Sequence, residues 1–90
     1  MIQHIIKRKG HAEPFDERKL YASCFAACLN AHLPKEEAER LSGEISNDIK
    51  AWISLLPEVS SDEIFQKTVE FLKTRNPEVS FMYETHRDIS

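Results

Sequence analysis

Glycine is scarce in this chain, with Gly10 and Gly43 the only 2 among 90 residues. A GxxxxGK phosphate loop and a GxGxxG dinucleotide turn each need closely spaced glycines, so neither can be built, and any phosphate must be held by side chains. Cysteine is equally sparse, with Cys24 and Cys28 alone. A small secreted domain usually carries a denser disulfide framework. Cysteines four apart on one helical face also point their Cβ atoms the same way, which opposes a bridge. Long apolar runs are missing too. The longest, Tyr21 to Leu29, is about half of what a membrane span needs. The opening MIQHIIKRKGH carries charges where a signal peptide needs its apolar block. A cytoplasmic protein is expected. Nor is there an excess of positive charge: 15 acids against 12 bases leave −3, so nothing draws the chain as a whole toward nucleic acid or an anionic membrane.

What is present is the composition of a folded domain, 41% hydrophobic and 30% charged, which favours neither disorder nor a membrane protein. The length suits one domain, residues 1–90, with little room for a large catalytic cleft. His4, His11, His32 and His86 have no HExxH or CxxC companion, so no metal site is expected. No base, nucleophile and metal come together in any motif, and the expectation is a protein that is not an enzyme.

Residues Ile2 to Arg8 are β-branched and apolar around their charges, Lys9-Gly10 supplies a turn, and His11 to Phe15 returns, which predicts a hairpin over 2–15. Four helices follow. Asp16 is a candidate N-cap for a helix over about 16–31, in which Leu20, Cys24, Ala27, Cys28 and Ala31 recur at helical spacing. Pro34 with Glu36 and Glu37 opens a second over about 34–56, its inward stripe running Leu41, Ile45, Ile49, Trp52, Ile53, Leu56. Ser60 and Glu63 form a capping-box pair before a third over about 61–75. Asn76-Pro77 starts a fourth over about 77–89. The predicted architecture is mainly α, a two-stranded N-terminal hairpin packed on a four-helix bundle. Because an isolated hairpin is marginal in water, it must lean on the helices.

Four ordered pieces of the sequence resemble one family. They are Ile5-Ile6-Lys7-Arg8-Lys9-Gly10; Glu13-Pro14-Phe15-Asp16 with Lys19-Leu20; Val59-Ser60-Ser61-Asp62-Glu63-Ile64; and Pro77-Glu78-Val79 through Tyr83 to Arg87. Together they resemble the ATP-cone, a regulatory nucleotide-binding domain of ribonucleotide reductases and of the reductase-operon repressor. The resemblance implies an allosteric module, without catalysis, that binds ATP or dATP and thereby alters its own assembly or its grip on a partner protein of nucleotide metabolism. Magnesium would arrive with the nucleotide. The alternative is an interaction module of the same fold that has lost its ligand.

Carried across by resemblance, Lys7 and Arg8 meet the phosphates, Lys19 meets them from the first helix, and Glu13 is associated with the adenine. A carboxylate accepts from the adenine N6 amino group and repels the O6 of guanine, so adenine should be preferred. Other positions carry two readings each. Asp16 is either a polar neighbour of the nucleotide or simply the N-cap. Ile6 and Phe15 either wall the base or belong to the core. Ser61 either contacts the ligand or is a first-turn serine. Arg87 either closes over the phosphates or balances a helix C-terminus. Phe65 stands among the base and ribose positions, where some relatives carry a polar residue such as histidine. Lys9 replaces an acid that often precedes the hairpin glycine and makes the tip more basic.

Overall fold

Asp16 opens the first helix by local chemistry. In the computed structural model, which describes residues 4–6 and 12–85, its Oδ1 accepts from the backbone N–H of Arg18 at 3.0 Å and of Lys19 at 3.4 Å. Two of the N–H groups that a helix start leaves unpaired are thereby satisfied. The helix, α1 (Glu17–Asn30), buries Leu20, Cys24, Ala27 and Cys28 on one side. It ends in a Schellman turn: the N–H of Leu33 donates to Cys28 O at 3.0 Å and that of His32 to Leu29 O at 2.9 Å. His32 occupies the left-handed position, at φ 68°, that glycine usually fills. Replacing it by glycine relieves a steric cost of about 1–2 kcal/mol and loses part of that to backbone entropy. His32→Gly should therefore raise the unfolding free energy by about 0.5–1 kcal/mol, read as a higher urea midpoint at unchanged slope.

The second helix, α2 (Lys35–Ile53), starts after Pro34 with Glu36 and Glu37 in its first turn, and buries Ala38, Leu41, Ile45, Ile49 and Ile53. It stops three residues before the Leu56 end that its apolar spacing suggests. Leu55 and Leu56 donate instead to the carbonyls of Trp52 and Ile53 in a tighter turn. Pro57 accounts for this, because it disfavours helical geometry in the residue before it. Trp52 and Leu56 accordingly pack on the rim of the core rather than within it.

Ser60 and Glu63 close the capping box of α3 (Ser61–Arg75) reciprocally, Glu63 N–H donating to Ser60 Oγ at 3.0 Å and Ser60 N–H to Glu63 Oε1 at 2.8 Å. Ile64, Val69 and Leu72 are buried, and the hydroxyl of buried Thr68 donates to Ile64 O at 2.7 Å. Asn76 both ends this helix and starts α4 (Pro77–Thr85): its N–H reaches Leu72 O at 2.7 Å while its Oδ1 accepts from Glu78 and Val79 N–H. The expected continuation of the last helix to residue 89 lies outside the described residues. α1 packs on α2 and α4, and α3 packs on those same two helices. Their shared core includes Cys24, Ile45, Ile49, Leu72 and Val79.

Three short strands, β1 (His4–Ile6), β2 (Ala12–Pro14) and β3 (Val59–Ser60), form one sheet in the order β2-β1-β3, the third coming from the segment between α2 and α3. β2 runs antiparallel to β1 with Ile5 opposite Glu13, and β3 runs parallel to it with Ile6 opposite Ser60. The two-stranded arrangement expected from the sequence is thus corrected to a three-stranded sheet. Two residues are too few to show an alternating pattern. β3 exists because buried, β-branched Val59 is held against the core immediately before the cap of α3.

Two ion-pair sets brace the helices. Arg75, at the end of α3, reaches Glu44 at 3.4 Å and also pairs with Asp48, both on α2. Lys50, in the last turn of α2, reaches Glu17 in the first turn of α1 at 3.2 Å. No helix among the described residues is long and apolar enough to cross a membrane.

Candidate functional site

The central strand sets the geometry. β1 and β3 run parallel and β3 leads straight into α3, so the first turn of α3 begins level with Ile6, the residue that precedes Lys7 in the chain. β2 leaves the sheet at Pro14, opposite His4, and α1 starts after Phe15 and Asp16. Strands this short advance about 7 Å from first to last residue. The N-termini of α1 and α3 therefore both emerge from one small sheet. Each such terminus carries partial positive charge, with the Arg18, Lys19 and Glu63 N–H groups already taken by the caps Asp16 and Ser60.

Of the phosphate candidates, Lys19 stands exposed in the first turn of α1, without an ion-pair partner among the described residues. Lys7, Arg8 and Arg87 lie outside the described residues. Ile6 is the last residue of β1, and Glu13 lies in β2 opposite Ile5. Phe15 is half-buried against the hydrophobic core, which favours its structural reading. Asp16 caps α1 through Oδ1. Ser61 is the half-buried first residue of α3, and Phe65 follows one turn later.

Two partners escape sequence reasoning. Tyr83 of α4 stacks on Phe65 with ring centroids 5.4 Å apart and planes 20° from parallel, a pairing worth about 0.5–1.5 kcal/mol beyond its buried area. Lys50 draws the Glu17 carboxylate toward α2, offsetting the one acid in the first turn of α1. Neither contact has a signal in local spacing, since each joins residues far apart in sequence.

Nothing in the described part of the core offers redox or metal chemistry. No group of three or more His, Cys, Asp and Glu side chains converges among the described residues. Burial, with the neighbouring Cys28 adding to it, pushes the Cys24 thiol up to about 12. Burial also raises Cys28, against a smaller opposing effect of the Ser42 hydroxyl. Ser42 Oγ and Ser46 Oγ are both buried without a hydrogen-bond partner among the described residues. Both cysteines are therefore inert thiols at neutral pH.

A pH dependence follows. Below the ordinary thiol value near 9.0, Cys24 is protonated in both folded and unfolded chains and contributes no slope. Above it the unfolded chain releases its proton while the folded chain keeps it until about 12, so stability falls as pH rises. Between about pH 9 and 11 the loss should approach ~1.4 kcal/mol per pH unit. Urea unfolding of the chain and of Cys24→Ala, compared at about pH 8 and about pH 10, should show the smaller alkaline loss in the variant.

Comparison with known proteins places the chain in a family. The family model of the ATP cone domain matches residues 3–88. The transcriptional repressor NrdR of Symbiobacterium thermophilum is 33% identical over 69 residues, covering 77% of this chain and 45% of the repressor. The NrdR repressor of Dictyoglomus turgidum matches with the same identity and coverage. The chain thus spans less than half the length of these curated relatives. A sheet that aligns the chain before a basic pair with a capped helix start, and a family match running from that sheet into the last helix, lead to one conclusion: this chain belongs to the ATP-cone family.

Proposed function

We propose that this chain is a non-catalytic regulatory module of the cytoplasm that binds ATP or dATP and responds by changing its self-assembly or its hold on a protein of nucleotide metabolism. The observation that carries the reading is the parallel register of Ile6 with Ser60, because it lines up the strand leading to Lys7 and Arg8 with the positive end of α3. In this reading Lys7, Arg8 and Lys19 hold the triphosphate, Arg87 closes over it, and Ser61 donates to it or to the ribose. Glu13 accepts from the adenine amino group, with Ile6, Phe15, Asp16 and Phe65 around the base and ribose. Magnesium accompanies the nucleotide through its phosphates and water. The relatives' name, transcriptional repressor, supports a role in which nucleotide level is converted into control of another macromolecule.

A second reading, an interaction module that has lost nucleotide binding, is favoured by the Phe65–Tyr83 stack, which already engages one face of a ring assigned to the ligand. Light scattering of the purified chain with and without ATP, dATP and GTP tests the regulatory half of the proposal. A change in mass with adenine nucleotides alone is expected, and identical mass in all conditions removes assembly as the output. Glu13→Ala should narrow the preference for ATP over GTP. Equal losses for both nucleotides would contradict the role given to that carboxylate.

A further inference from the structure

The face of α3 that looks away from Ser61 and Phe65 forms a second surface. Gln66 and Glu70 lie about 140° and 180° round the helix from Ser61. With Trp52 of α2 they help to line a groove of about 270 Å³ whose surface is mostly apolar. Asp62, Glu63 and Glu70 also contribute to its lining, against one cation, Lys67. The ammonium of Lys67 lies 5.5 Å from the centroid of the Trp52 ring and 5.7 Å from that of Phe71, and 3.4 Å from the Glu70 carboxylate. The floor of the groove is thus already in use as a cation-receiving aromatic surface.

We propose that this groove docks a basic segment of a partner protein, with an arginine taking the position over Trp52 that Lys67 now holds. Charge complementarity selects the occupant, since the lining residues sum to two negative charges around an aromatic floor. A guanidinium is planar and weakly hydrated, so it stacks on an indole better than an ammonium does and can reach a lining carboxylate bidentately. Lys67 rests there by a flexible stem and one surface pair, which is a contact an incoming arginine can displace. The surface is separate from the proposed nucleotide positions on the same helix, so the groove can be tested without any nucleotide.

Trp52 is the only tryptophan of the chain, so intrinsic fluorescence reports the groove directly. The probe is a capped hexa-arginine peptide titrated at physiological salt, with hexa-glutamate as control. A saturable change with the arginine peptide alone is expected. Lys67→Ala removes the internal competitor and should tighten half-saturation about threefold, while Glu70→Lys should weaken it roughly fivefold. Glu39→Lys makes the same change in net charge about 20 Å along α2 from Trp52, beyond the screening length, and should leave the midpoint within about twofold. Far-UV circular dichroism confirms that each variant is folded. Absence of saturation, or an equal shift from Glu39→Lys and Glu70→Lys, would overturn the proposal. So would light scattering that showed a second copy of the chain filling the groove in a dimer abolished by Glu70→Lys.

Discussion

Replacing Ile45 by alanine should lower the unfolding free energy by about 2–5 kcal/mol. The side chain is fully buried midway along α2, which packs on both α1 and α3. Its loss removes transfer energy and leaves a cavity in an interior that neighbouring side chains fill only partly on relaxing. For a domain of this length total stability is about 5–13 kcal/mol, so the variant spends a large fraction of it. Urea unfolding should show a midpoint far below that of the parent. Substitution of exposed Glu39 by alanine, on the same helix, should stay within about 0.5 kcal/mol. A loss below about 1 kcal/mol for Ile45→Ala would mean that Ile45 is not packed in the shared helical core described above.

The second large effect concerns the ligand. Lys19→Ala should weaken ATP and dATP alike by roughly 10-fold to 100-fold, the equivalent of one charge-assisted hydrogen bond of about 1.5–3 kcal/mol. Lys19 is exposed and unpaired among the described residues, so thermal stability should be unchanged within experimental scatter. That separation of binding from folding is the useful feature of the variant. Asp16→Ala behaves differently, because its Oδ1 caps α1 and its removal should cost about 0.5–2 kcal/mol of stability whether or not a nucleotide is bound. Lys19→Ala binding all nucleotides as tightly as the parent would exclude the α1 lysine from the phosphate site.

Much of this was legible because it is local. Asp16 as a cap, the Ser60–Glu63 box, Asn76 before Pro77 and the buried spacing of Leu20, Cys24 and Cys28 all follow from residues within a turn or two of one another. Where the reading fell short, the decisive contact joins distant segments. β3 is set by a pairing between residues 6 and 60 and by burial of Val59, neither of which a two-residue run can announce. The end of α2 at Ile53 reflects Pro57 overriding an apolar spacing that continues to Leu56. The turn at His32 lacks the glycine that normally marks it. The site divides in the same way. Glu13, Lys19 and Ser61 are proposed from motif resemblance, whereas the partnership of Phe65 with Tyr83 and the pull of Lys50 on Glu17 arise only when helices pack.

Side chains are proposed to hold the phosphates, since a glycine-rich phosphate loop is absent from the sequence. Isothermal titration calorimetry with ATP, dATP and GTP in the presence of magnesium tests that claim most directly. Saturable heat with ATP or dATP at micromolar concentration, weaker with GTP and shifted to roughly 10-fold to 100-fold higher concentration in Lys19→Ala, is the predicted result. No heat with any of the three from a folded chain would contradict it.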